Sequence, residues 1–520
     1  MASQYDIEDK EKGGYESPSP AELHTVHLAE KDPDSALINR FGRLGPVLSK
    51  VFASGVEARG VERVPEDQRE GKHAWNNLLM WWSVNTVLTT IPIGVLAQEY
   101  YDLTLPHAIA TIMCFGALGA VATAFIATLG PQTGLRTMII TRFSSGYVGC
   151  TIYSILNILT QLGFSTTAVI LGGQTLASIN PGTLPLVVGI IIVGVCSLIP
   201  CFIGYHMVHY YERYAWMVIF IVMLFLWGLG GKAGFDINAA KADEPTGRDL
   251  SAGIISFGGI VFGSFSGWAP VAADYNCRLP VETSSYRVFI LTFFGLWIPI
   301  CFAEILGAAL MTITDPAYTD AFAADATGGL LAQVLSPWKG GGKFLLVVLA
   351  FSVVANNIPN TYSAALSIQS LGRPFALVPR FLWTILIFVG YTVAGVAGRE
   401  HFSEILSNFL AILSYWTAFF IVIVAEEHFL FRRSGWGFGY DLDHWDSPTR
   451  LPVGVAGVVA GCCGVAGAVV GMAEVWYTGP ISWLAGSETQ GADLGFELAA
   501  AFAAVTYPPL RWLEIRLTGR

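Results

Sequence analysis

The sequence predicts an all-α polytopic membrane protein with twelve transmembrane helices, arranged as two inverted repeats of five helices followed by two more. Three observations predict it: the composition, the recurrence of long apolar runs, and one interrupted span at the same position in each half. Of 520 residues, 53% are hydrophobic and only 13% charged, whereas a soluble domain carries about 25% charged residues. Gly182 to Cys201 and Phe375 to Ala397 are long, predominantly apolar runs, over about the 20 residues that a helix needs to cross a bilayer. A spanning β-barrel would instead show strands of about ten residues alternating between apolar and polar.

Residues 1–72 are polar and include Gly13-Gly14-Tyr15-Glu16-Ser17-Pro18, a composition that reads as a disordered cytoplasmic tail. No apolar stretch opens the chain, so no cleavable signal peptide is expected. The first repeat occupies 73–231, with spans at 76–97, 107–129, 146–175, 183–205 and 214–231. The second occupies 251–432, with spans at 251–271, 286–312, 343–368, 376–397 and 403–428. Spans 11 and 12 lie at 451–475 and 492–511 within 451–511, and 512–520 forms a cytoplasmic C-terminus. Arg136, Arg142, Arg278, Arg287, Arg373, Arg380, Arg432 and Arg433 fall in one set of loops, and the sparser Lys232, Lys241, Arg248, Lys339, Lys343 and Arg399 in the other. The positive-inside rule then places both termini in the cytoplasm.

Span 1 contains Trp82-Ser83-Val84-Asn85-Thr86 and then Ile91-Pro92, and span 6 contains Gly263-Ser264-Phe265-Ser266-Gly267-Trp268-Ala269-Pro270. Interrupted spans at corresponding positions of two halves point to a transporter built of inverted repeats, with its site at the repeat interface. Five-helix repeats insert with opposite orientation, which is the basis for alternating access.

The most informative stretch is Ala355-Asn356-Asn357-Ile358-Pro359-Asn360-Thr361-Tyr362-Ser363 in span 8. Asn356 and Asn360 share a helix face, and Asn357 sits about 100° around it. Pro359 lacks an N–H and strips the Ala355 carbonyl of its partner, which predicts a kink. Each carboxamide offers an acceptor and two donors, matching the mixed edge of a planar heterocycle; hydrogen-bonded glue between helices is the other reading. In span 3, Asn157 and Gln161 form a second carboxamide pair with the same two readings. Trp268 is placed to stack on a planar base, which contributes about 1–3 kcal/mol per base; packing is the alternative. Ser83 adds a hydrogen-bonding hydroxyl at the break of span 1, or bonds its own backbone.

Ionisable residues inside spans are functional candidates. Glu304 in span 7 is the one expected to be well buried, and it and Asp274, just beyond the break in span 6, are the candidates for carrying a coupling proton. Glu426, Glu427 and Glu474 lie at span ends. Six of the eight cysteines fall inside apolar runs without CxxC spacing, so neither a metal site nor disulfides are expected. No cofactor is expected, no basic nucleic-acid footprint exists, and no nucleophile–base constellation supports an enzyme. The net charge of −10 comes largely from the tail and loops and reads as solvation.

At Trp82-Ser83-Val84-Asn85, Leu156-Asn157-Ile158, Ser266-Gly267-Trp268, Asp274-Tyr275 and the span 8 stretch, the chain resembles the fungal purine-cytosine permeases of the nucleobase cation symporter 1 family, over roughly residues 58–515. The resemblance implies a leucine-transporter-like five-plus-five fold, proton-driven uptake of cytosine, adenine, guanine and hypoxanthine, and a plasma-membrane location. It makes Ser83, Asn157, Trp268, Asn356, Asn357 and Pro359 substrate-site or site-shaping positions, with Asn360 close by. Some relatives of the subfamily carry pyridoxine. Sodium-coupled relatives carry small hydroxyl residues where this chain has Ala350, Phe351 and Ser352, so the resemblance favours a proton. A non-transporting nutrient receptor is the remaining alternative.

Overall fold

A computed structural model of the chain describes residues 61–69, 75–202, 205–239, 244–433, 439–487 and 491–520. Most of the expected tail therefore lies outside the described residues. Within it, 61–69 is pinned to the following bundle: Arg69 Nη1 donates to the Pro131 carbonyl at 2.7 Å and Arg63 Nε to that of Thr133 at 3.1 Å.

Twelve helical segments stand where the sequence places spans. Span 1 is the pair α1 (Trp75–Asn85) and α2 (Ile91–Glu99), followed by α3 (Leu105–Thr133), α4 (Arg142–Ala177), α5 (Leu186–Leu198) and α6 (Tyr205–Ala233). Span 6 is α7 (Arg248–Ser266) with the single turn α8 (Ala269–Ala272). Then come α9 (Ser285–Met311), α10 (Pro316–Leu335), α11 (Gly340–Ser370), α12 (Arg380–Gly398), α13 (Phe402–Glu426), α14 (Val455–Gly471) and α15 (Gly495–Thr518). Among the described residues, eight helices are long and apolar enough to cross a membrane, and the bent pair of span 1 makes a ninth. The fourth span is shorter than expected, because Pro185 caps it and Pro200 falls where α5 passes into a 3-10 turn. The final helix runs through the expected C-terminal segment to Thr518.

Besides short helical turns in the loops, a helix and a hairpin had no counterpart in the sequence expectations. Helix α10 lies between spans 7 and 8, opened by Asp315, whose side chain accepts from the Ala317 N–H at 2.9 Å just ahead of Pro316. A short hairpin, β1 (Ala473–Glu474) with β2 (Tyr477–Thr478), follows α14.

The two interruptions differ in degree. In span 1 the halves are bent by 66°, with Val87 in extended conformation and a 3-10 turn over Leu88–Thr90. The side chains of Asn85, Thr86 and Thr90 fold back onto local carbonyls at 2.8, 2.7 and 3.1 Å and so compete with helical pairing. In span 6 the interruption is confined to Gly267 and Trp268, and the segment Arg248–Ala272 runs on without a sharp bend. Helix α11 continues as one helix through Pro359.

The counterpart helices of the two repeats, α4 and α11, pack along their length, and α9 packs on α1, α2 and α3. Contact between α2 and α9 is made by bare backbone: a Cβ added to Gly94 would lie 1.7 Å from the Glu304 carbonyl oxygen, and one on Gly307 would lie 1.9 Å from that of Ile91. Helices α14 and α15 pack on each other and, through α13, on the bundle.

Candidate functional site

Breaking a helix orphans a carbonyl and an N–H, and burial of either without a partner costs about 1–3 kcal/mol. In span 1 the orphans are the Val84 carbonyl and the Leu88 N–H, four residues apart. Asn356 Nδ2 donates to the first at 3.1 Å, and the second donates to Ser352 Oγ at 2.9 Å. Ser352 and Asn356 are themselves four apart on α11, so one face of span 8 replaces the missing rung of span 1. Asn360 Nδ2 then donates to Asn356 Oδ1 at 2.9 Å, which fixes the Asn356 amide and leaves Asn360 Oδ1 buried without a partner among the described residues.

The polar face of α4 meets the same helix. Asn157 Nδ2 donates to Ser367 Oγ at 2.7 Å and to Ser363 Oγ at 3.3 Å, and Gln161 Nε2 donates to Asn157 Oδ1 at 2.9 Å. Asn157 thus joins spans 3 and 8, while Gln161 Oε1 is buried and unpartnered among the described residues. Asn357 turns away from this face: its Nδ2 donates to Ser197 Oγ on α5 at 3.2 Å. Pro359 lies within α11 beside Asn360. Ser83, immediately before Val84, is buried with its hydroxyl unpartnered among the described residues.

Trp268, 3% exposed, closes the set. Its ring lies nearly parallel to that of Phe164, 6.0 Å between centroids and 10° apart, and edge-on to Trp81 at 5.7 Å. Gly267 permits this approach, since a Cβ there would meet the Phe164 ring at 2.9 Å. Phe164 and Trp81 were not singled out in the sequence. The available signal was spacing: Phe164 lies three residues after Gln161 and seven after Asn157, on one helical face.

Asp274 belongs to a separate network at one end of the bundle. Its Oδ1 accepts from Thr137 N at 2.7 Å, and Arg136 donates through Nη1 to the Asp274 carbonyl at 2.9 Å and through Nη2 to Tyr362 Oη at 3.1 Å. Burial pushes the Asp274 carboxyl above its usual range, against the pull of Arg136 and Thr137. Glu304 is fully buried, with Oε1 2.8 Å from Ser264 Oγ. It is not the single buried acid of the spans, as the sequence suggested: Glu427 and Glu474 are 2% and 7% exposed. Glu427 is held by Arg432, Tyr507 and Arg511 at 2.7–3.3 Å, and Glu474 accepts from Tyr415 at 3.1 Å. Glu426, next in sequence, is less buried. Among the described residues no group of three or more His, Cys, Asp or Glu is placed to hold a metal ion.

A broken first span, a sixth span with an irregular turn at Gly267 and Trp268, and neutral polar atoms and aromatic rings gathered between counterpart helices define a membrane transporter of the five-plus-five fold. The family described as permeases for cytosine/purines, uracil, thiamine and allantoin matches residues 63–486, and the chain belongs to it. Its members are permeases and not enzymes. The chain is 39% identical to the purine-cytosine permease fcyB of Emericella nidulans over 470 residues, 89% of this chain and 90% of that one. It is 33% identical to the purine-cytosine permease FCY21 of Saccharomyces cerevisiae, across 99% and 97%, and 30% identical to the vitamin B6 transporter TPN1 of that yeast, across 97% and 96%. The solved structure of Mhp1, a nucleobase-cation-symport-1 family transporter in a closed conformation with bromovinylhydantoin bound, matches with a TM-score of 0.65 at 15% identity, covering 89% of this chain and 96% of that one. At that identity the likeness concerns the fold.

Proposed function

We infer that the protein is a proton-coupled plasma-membrane symporter that imports purine bases and cytosine by alternating access. The observation that carries this reading is the neutral polar and aromatic set at the helix break. Trp268 offers a face for stacking, while Gln161 Oε1, Asn360 Oδ1 and the Ser83 hydroxyl are buried without protein partners among the described residues. A nucleobase carries N–H donors and acceptors in one plane, so it satisfies such atoms and stacks at the same time. A charged substrate would find no counter-ion among these side chains. Asn356, Asn157 and Asn357 hold the surrounding helices in register, and Pro359 shapes the α11 face.

Ser352 supports a proton over sodium. Its hydroxyl accepts from the Leu88 N–H and donates to the Leu349 carbonyl at 2.6 Å, so it already serves the backbone. With cytoplasmic termini, as the loop charges favour, the Arg136, Asp274 and Tyr362 network closes the cytoplasmic side and substrate enters from the other. The vitamin B6 relative supports a second reading, a pyridoxine permease on the same fold.

The test is uptake of radiolabelled cytosine, adenine, hypoxanthine and pyridoxine by permease-deficient fungal cells expressing the chain, with and without a protonophore. Mutually competing, protonophore-sensitive uptake of cytosine and purines is expected. Accumulation of pyridoxine alone would move the protein to the second reading, and surface expression without any accumulation would favour a receptor.

A further inference from the structure

Glu304 is a carboxyl group at zero exposure whose helix touches both interrupted spans. Its own backbone carbonyl faces Gly94 of α2, the second half of span 1. Its side chain reaches Ser264 of α7, three residues before Gly267. Oε2 has no partner among the described residues. No counter-charge is close along the chain either. The elements packed on α9 are α1, α2, α3, α6 and α7, and residues 75–98, 108–133, 215–231 and 250–266 contain no Asp, Glu, Lys, Arg or His. Charged groups of these elements sit toward their ends: Glu99, His107, His206, His209, Glu212, Arg213, Lys232, and Arg248 with Asp249. The thiols of Cys301, one turn earlier on α9, and Cys114 on α3 are further titratable groups, with Tyr286 and Arg287 at the start of α9 and Tyr205, Tyr210, Tyr211 and Tyr214 at that of α6.

Ser264 Oγ lies 2.8 Å from Glu304 Oε1 and 2.9 Å from the Val261 carbonyl oxygen, and it has one hydrogen to give. With Glu304 protonated, its O–H donates to Ser264 Oγ and Ser264 donates to Val261 O, so every hydrogen is used. When the proton passes to water, the carboxylate remains and Ser264 turns its hydrogen to Oε1, away from Val261. An unpaired carboxylate in apolar surroundings is costly, so the two states favour different packing around the break.

We propose that Glu304 is the group that carries the coupling proton, and that Ser264 transmits its protonation state to the irregular turn at Gly267 and Trp268 in span 6. Asp274 is the weaker candidate because a backbone N–H already pairs its Oδ1 and Arg136 lies beside it. The proposal deepens the proton-symport reading and rests on it.

The test uses the purified full chain in proteoliposomes loaded for either counterflow or uptake driven by a pH gradient, with radiolabelled cytosine. For one proton per base, each pH unit supports about tenfold accumulation in the wild type. Glu304→Gln, which mimics the protonated acid, is expected to retain counterflow at a reduced rate and to lose gradient-driven accumulation. Ser264→Ala keeps the carboxyl and is expected to shift the pH midpoint of uptake. Unaltered gradient-driven accumulation in E304Q, or an unmoved pH profile in S264A, overturns the assignment. Wild-type counterflow without gradient-driven accumulation would instead overturn the proton-symport reading itself.

Discussion

At the scale of single residues, the site separates side chains that hold helices from side chains left with unused bonding capacity. Trp268 is the clearest case, because its ring packs against Phe164 and Trp81. Replacing it by Ala removes a stacking surface contributing about 1–3 kcal/mol, so the apparent KM for every transported base is expected to rise roughly 5- to 150-fold with little change in their ranking. Competition uptake measures this; an unchanged KM, or a change for one base alone, would move Trp268 out of the site. The carboxamides were legible in the sequence because three of them in an apolar span have no other purpose than bonding. Their division of labour was not. Asn357 bonds Ser197, some 160 positions earlier in sequence, and no local pattern announces which way an amide turns. Phe164 was missed for a related reason: one phenylalanine among many in apolar helices acquires significance only from the ring opposite it.

At the scale of elements, span positions were readable from apolar length, and both interruptions from Gly, Pro and hydroxyl residues. The degree of interruption was not readable. Span 1 breaks fully because spare hydrogen-bonding groups on α11 serve its orphaned backbone, whereas span 6 has two irregular residues and continues. Pro359 leaves α11 whole. Helix α10 escaped notice because it has a moderate composition in a loop, marked only by its Asp315-Pro316 cap. The contact of α2 with α9 gives a sharp expectation. Gly94→Val places a side chain within the Glu304 carbonyl, and overpacking of this kind costs about 1–3 kcal/mol, occasionally more. The variant is expected to melt at a lower temperature in detergent and to lose transport, measured by thermal unfolding and uptake. A wild-type melting temperature would show that the two helices separate easily.

At the scale of the whole molecule, the network of Arg136, Asp274 and Tyr362 ties the loop after α3 to the ends of spans 6 and 8. Cys277 is buried there, its thiol donating to the Asp274 carbonyl at 3.2 Å. In a background lacking the other cysteines, Arg136→Ala is expected to raise the rate of Cys277 alkylation severalfold by loosening this end. An unchanged labelling rate would mean that Arg136 does not hold it shut. None of this network was visible as a unit in the sequence, because its members are far apart along the chain: Arg136 is 138 residues from Asp274 and 226 from Tyr362. The shared rung between Val84, Leu88 and α11 has a consequence in time as well. When the first span enters the bilayer during synthesis, Ser352 and Asn356 do not yet exist. Its two orphans then have no partner on α11, so the nascent span is expected to be a straighter helix in which they pair with each other. The kinked form, and with it the candidate site, is then expected to be acquired late, once the eighth span has been made and has docked.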